Sequence, residues 1–182
     1  MLDPWRRRFC KLGFYAATAC LFPAVARAAR PAIIEGERRL AFFNTHTGET
    51  LEAVYFRRGS YDPQALKSIN HILRDHRAGC VHPIDPGLLD LLFVLGRRLG
   101  GPPRFDVISG YRSPETNAFL RSRSRGVASG SLHTVGKAID VRVAGLSCRT
   151  LQKEAAALAA GGVGYYPASD FVHLDVGRVR CW

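Results

Sequence analysis

Hydrophobic and polar positions along this chain alternate with more than one period, and the changes of period mark its elements. Arg39 to Phe43 and Thr50 to Phe56 read as two strands of a hairpin closed around His46, Thr47 and Gly48. Asp62 and Pro63 then open a helix, as an N-cap and a first-turn proline. Leu66, Ile69 and Leu73 recur at helical spacing on its inner face, which Asn70 shares. Pro86 to Leu99 is a second helix, apolar nearly all round from Leu88 to Leu95. It is too short to span a bilayer and is expected to be buried. A strand from Phe105 to Ile108 leads into a turn at Ser109 to Arg112, and Pro114 starts a third helix running to about Ser124. A glycine- and serine-rich loop, 126–131, precedes the β-branched, alternating strand Lys137 to Val143. A fourth helix, Ser147 to Ala160, is expected to stop at Gly161, and Phe171 to Val176 reads as a last strand. These elements predict an α+β fold in one domain, with a small antiparallel sheet and helices packed around it.

The N-terminus breaks this pattern. Arg6, Arg7 and Arg8 precede Phe9 and Lys11, an apolar stretch runs from Leu12 to Val25, and small residues around Ala24, Ala26 and Ala28 suit signal peptidase. This order is that of an export leader. The arginine pair favours the twin-arginine route, while a retained membrane anchor is the alternative. The expected division is a leader over 1–28 and one domain over 29–182, with residues 29–36 as a loose arm. No later segment is apolar for long enough to span a bilayer, so no stable membrane insertion is expected once the leader is cleaved. The expected destination is the periplasm or cell envelope.

Charge changes the choice of partner. The chain carries 26 Lys and Arg against 15 Asp and Glu, a net +11. Losing the leader removes Arg6, Arg7, Arg8, Lys11 and Arg27 but only Asp3, which leaves about +7. A basic surface suits an anionic matrix. The export signal and the lack of a nucleic-acid motif argue against nucleic acid. Beyond the leader stand Cys80, Cys148 and Cys181, which allow one disulfide and one free thiol without setting the pairing. The chain has no C-x-x-C pair of the kind that builds a structural zinc module.

The candidate chemistry lies in His133, Asp140 and His173. Two imidazoles and a carboxylate fill three positions of a tetrahedral zinc and leave one for water. Seven positions separate His133 from Asp140, with Gly136 between them, so the pair does not share a helix face. The spacing instead suggests a loop carrying His133, a turn at Gly136 and a strand carrying Asp140. On spacing alone the three also fit a loop-capping histidine, a surface ion pair and a satisfied core histidine. His46, His71, His76 and His82 show no paired ligand spacing and read as surface or capping residues.

The string Ser131-x-His133-x-x-Gly136-x-Ala138-x-Asp140, with a late strand histidine, resembles the zinc D-Ala-D-Ala carboxypeptidase and hedgehog-type group. Ile108 to Asn117 and the run Gly161 to Pro167 before Phe171-Val172-His173 narrow the resemblance to the MepK (YcbK-like) murein endopeptidases. It covers nearly the whole chain. It implies one zinc per chain at His133, Asp140 and His173, and hydrolysis of peptide cross-links between the stem peptides of peptidoglycan. A carboxypeptidase acting on stem peptides and a zinc-bearing binding module without peptidase activity are the alternatives. The resemblance also implies a substrate-facing Arg112, holding a carboxylate or an oxyanion. Ser131 either touches substrate or bonds its own backbone. For the general base the family position points to Asp170, three residues before His173. Strand alternation points to Asp175 instead, and either could hold the free ring nitrogen of His173.

Overall fold

The computed structural model describes residues 36–124 and 128–182. The expected leader and nearly all of the expected arm lie outside the described residues. The hairpin forms as β1 (Arg38–Asn44) and β2 (Thr50–Arg57), followed by a short β3 (Ser60–Tyr61). Helix α1 (Pro63–Ile72) starts where Asp62 accepts hydrogen bonds from the backbone N–H groups of Gln64 and Ala65. Helix α2 (Pro86–Arg98) is capped in the same way by Asp85 and buries Leu88, Leu89, Leu91, Leu92 and Leu95. Strand β4 (Arg104–Ser109) and helix α3 (Pro114–Arg123) follow, the latter capped by Ser113. The remaining elements are β5 (Ala138–Val143), α4 (Cys148–Ala156), β6 (Gly162–Tyr166), β7 (Phe171–Asp175) and β8 (Arg180–Cys181).

The fold class is α+β, but the sheet is neither small nor purely antiparallel. Eight strands lie in the order β3-β2-β1-β4-β5-β7-β6-β8. β1 runs parallel to β4, and β6 parallel to β8. β4 can lie parallel to β1 because the chain between them, through β2, β3, α1 and α2, is long enough for the crossover that parallel pairing needs. Alternation along a strand reports its buried face but not its neighbour, so this pairing was not legible in the sequence.

One face of the sheet makes the core. Leu40, Phe42, Phe105, Val107, Ile139, Val141, Val172 and Leu174 bury their side chains together with the leucines of α2 and with Leu151 and Ala155 of α4. α4 ends earlier than expected, at Ala156, and Ala159 takes a left-handed φ of 47°. The chain turns there because Gly161 must pass close to β7, where a Cβ would collide with the carbonyl of Asp175. Cys80, Cys148 and Cys181 are free thiols, not joined in a disulfide. His76 lies beyond the end of α1, in a loop closed by a bridge between Asp75 and Cys80. No helix among the described residues is long and apolar enough to cross a membrane.

Candidate metal centre

Strand pairing brings two of the expected ligands side by side. Asp140 on β5 stands directly opposite His173 on β7 in an antiparallel register, so their side chains leave the same face of the sheet. His133 comes from a turn of 3-10 helix, Leu132–Val135, capped by Ser131, whose hydroxyl accepts from the backbone N–H of His133. Gly136 ends that turn in the left-handed region, φ 65°, pressed so closely on the Pro83 carbonyl that a Cβ would not fit. The expected loop, turn and strand are therefore present.

The three side chains converge. His133 Nε2 lies 3.2 Å from Asp140 Oδ1 and 3.2 Å from His173 Nδ1, and His173 Nδ1 lies 2.8 Å from Asp140 Oδ1. Four ligands around zinc at about 2.0–2.1 Å stand roughly 3.3 Å apart, close to this triangle. The outer nitrogens decide what the inner ones present. His133 Nδ1 donates to the Gly110 carbonyl at 2.7 Å, which leaves Nε2 bare in the neutral ring. His173 Nε2 faces Asp175 Oδ2 at 3.0 Å, and with its proton there Nδ1 also presents a lone pair. Two imidazole lone pairs and a carboxylate oxygen aimed at one point suit a cation. The donor set therefore fits zinc.

Electrostatics at the site agree with this geometry. Burial holds the proton affinity of His133 below that of an ordinary histidine, against the pull of Asp140. Burial also acts to raise the pKa of Asp140, but His133, His173 and Arg112 outweigh it and keep the carboxyl ionised far below the usual range. For His173 burial works against charge, yet hydrogen bonds to Asp140 and Asp175 win and raise its pKa. The point between these groups attracts positive charge.

The expected supporting residues take different places. Arg112 lines the cleft, bound to Asp140 by Nη2 and to the Ser109 hydroxyl by Nε at 2.8 Å, so part of its fork holds a metal-site carboxylate. Asp175 is fully buried behind His173. It accepts from the His173 ring, the backbone N–H groups of Gly162 and Gly177, and both terminal nitrogens of Arg180. Asp170 is exposed, in a left-handed turn after Ser169, and is engaged by Arg142 and the Cys148 thiol. Neither of the two carboxylates expected to supply a base lines the cleft. Strand alternation placed Asp175 on the His173 side correctly, but it could not tell the inner ring nitrogen from the outer one.

The three donors sit in a cleft of about 600 Å³ whose wall includes residues that the sequence did not single out. Trp182 lies 5.3 Å from the His173 ring, donates to the Tyr166 hydroxyl at 2.9 Å, and fits because Gly164 has no side chain beneath it. Arg180 and Arg77 also line the cleft, as does His46, which was read as an ordinary surface residue. No local spacing ties these residues to the ligands, which is why the sequence did not reveal them.

The family model described as peptidoglycan L,D-endopeptidase MepK matches residues 33–182. The peptidoglycan L,D-endopeptidase MepK of Escherichia coli (strain K12) is 44% identical over 184 residues, covering 99% of this chain and 98% of its own. The probable peptidoglycan L,D-endopeptidase MepK of Haemophilus influenzae is 38% identical over 186 residues, covering 100% of this chain and 97% of its own. No solved structure gives a significant match.

Proposed function

The chain belongs to the peptidoglycan L,D-endopeptidase MepK family, and from that premise we propose that it is a zinc peptidase hydrolysing peptide cross-links of peptidoglycan in the cell envelope. The observation that carries the reading is the convergence of two imidazole nitrogens and the Asp140 carboxylate within about 3 Å of one another at the wall of one cleft. His133, Asp140 and His173 would hold the metal. Zinc there supplies Lewis acidity, which polarises a peptide carbonyl and makes water nucleophilic near neutral pH.

The chain's own residues hold this site in shape. Arg112 neutralises the outer oxygen of Asp140, and Asp175, clamped by Arg180, orients the His173 ring. Ser131 secures the turn that delivers His133. Trp182, which donates to the Tyr166 hydroxyl, packs beside the His173 ring. Asp140 is the one carboxylate lining the cleft among the described residues, and it is already paired.

The test is digestion of defined cross-linked muropeptide dimers, read by mass spectrometry. Zinc-loaded protein is expected to cut dimers joined through an L-centre carbonyl and a D-centre nitrogen. Chelation or His133→Ala should abolish cutting, with circular dichroism unchanged. Intact dimers after prolonged incubation with zinc-loaded protein, alongside binding to sacculi, would leave a binding module. Loss of only a terminal residue would make it a carboxypeptidase.

A further inference from the structure

Among the described residues, three arginines line the cleft: Arg77, Arg112 and Arg180. Two are committed to carboxylates of the metal site. Arg112 is paired with Asp140, and Arg180 clamps Asp175 through both terminal nitrogens. Arg77 is exposed, and among the described residues no acidic side chain lies within ion-pair distance of it. A cation left over in a cleft whose one carboxylate among the described residues is already neutralised creates a local excess of positive charge.

The backbone that carries Arg77 is held firmly. Asp75, itself 2% exposed, accepts from the backbone N–H of Arg77 at 2.9 Å and of Ala78 at 3.3 Å with one oxygen. Its other oxygen accepts from the N–H of Ser113, the cap of α3, at 2.9 Å. The Asp75 N–H donates to the Cys80 carbonyl at 3.0 Å and closes the loop. Next to Arg77, His76 stacks on His46 at 4.0 Å, and His46 is anchored through Nε2 to the Ile108 carbonyl. The loop is thus pinned to the hairpin, to β4 and to the start of α3, the segments that flank the metal site. An arginine on a fixed backbone costs less ordering entropy to engage than one on a loose loop. The guanidinium fork matches a carboxylate with two parallel hydrogen bonds.

We propose that Arg77 anchors a free carboxylate of the substrate, the one on the carbon that bears the amide nitrogen of the cut bond. This rests on the cross-link-hydrolysing reading above. A residue whose D-centre nitrogen is the amide nitrogen of the cut bond bears its carboxyl on the adjacent carbon, so reading that group places the bond in the cleft. Arg112 and Arg180 maintain the metal site, and Arg77 reads the substrate.

The test compares a diaminopimelate-linked stem-peptide dimer with the same dimer amidated at that carboxylate. Wild-type protein should lose about 10- to 100-fold in kcat/KM on amidation, the usual range for a charge-assisted hydrogen bond. Arg77→Gln should show a similar deficit on the free acid and little further loss on the amide, whereas Arg77→Lys should restore part of the discrimination. Equal discrimination by wild type and Arg77→Gln, or wild type indifferent to amidation, would overturn the proposal. Failure of the underlying reading looks different: wild type then cuts neither dimer. In that event calorimetric binding of the two dimers decides the role of Arg77, because equal affinities for wild type would overturn it and a carboxylate preference lost in Arg77→Gln would support it.

Discussion

Asp175 and Asp170 differ in nearly every respect that matters for a carboxylate. Asp175 has no exposure, and its hydrogen-bond donors hold it ionised below the usual carboxyl range even though burial pushes the other way. Asp170 is mostly exposed, and its ion pair with Arg142 spans 3.2 Å in solvent. Asp175→Asn is therefore expected to weaken zinc binding by about 10- to 100-fold, the usual consequence of losing a carboxylate behind a metal-bound histidine. Asp170→Asn should leave zinc affinity unchanged and shift stability by no more than about 0.5 kcal/mol. Competition with a chromogenic chelator measures both. Equal zinc affinity in wild type and Asp175→Asn would remove its orienting role. The sequence showed which residue types were available here, but burial sorted them.

The loop 75–80 ties the residue scale to the elements. Burial raises the pKa of Asp75, but hydrogen bonds from Thr116 and from the backbone N–H groups of Ser113, Ala78 and Arg77 overcome it, so the folded pKa is depressed. A depressed carboxyl stabilises the fold above its unfolded pKa of about 3.9, and that contribution disappears as pH falls through the folded value. Asp75→Asn should thus cost stability at pH 7, by about 1–3 kcal/mol for the lost charge-assisted bonds. The gap to wild type should narrow as pH drops below about 4. Urea unfolding across pH 3–7 measures this, and a gap independent of pH would show that charge is not what Asp75 contributes. The helix cap at Asp62 was read from the sequence, and those at Asp85, Ser113 and Ser147, which were not, are equally local, because a cap and its helix are adjacent in the chain. The Asp75 clamp is not local, since Ser113 lies 38 residues away.

For the whole molecule, the buried Arg38 joins the first strand to the central helix. Its guanidinium pairs with Asp90 at 2.6 Å and lies over Phe56, and Asp90 also accepts from Tyr55 and Tyr61. Asp90→Ala would strand a nearly inaccessible charge and is expected to cost about 3–5 kcal/mol, seen as a lowered urea midpoint. A change under about 1 kcal/mol would mean that water reaches Arg38. Export is predicted at this scale as well, from residues outside the described structure. Met1 to Ala29 fused to a reporter should leave the cytoplasm, and Arg6→Lys with Arg7→Lys should trap the precursor if the twin-arginine route reads the guanidinium pair. Unchanged export of the double variant would point to the general secretory route.

Motif resemblance supplied the three candidate ligands, while the sequence by itself determined the helices α1 to α4, the strands β1, β2, β4, β5 and β7, the cap at Asp62 and the turn at Gly136, but not β3, β6 or β8. Each depends on residues close together in the chain, where period, cap chemistry and glycine's freedom act locally. Tertiary structure decided the rest. It placed β4 between β1 and β5, set Asp140 opposite His173, turned Arg112 towards Asp140 and put Asp175 behind the ring. It also brought Trp182, His46 and Arg77 to one cleft. These contacts join positions far apart in the chain, and a strand's two-residue period states which face is buried without naming the strand that will lie beside it.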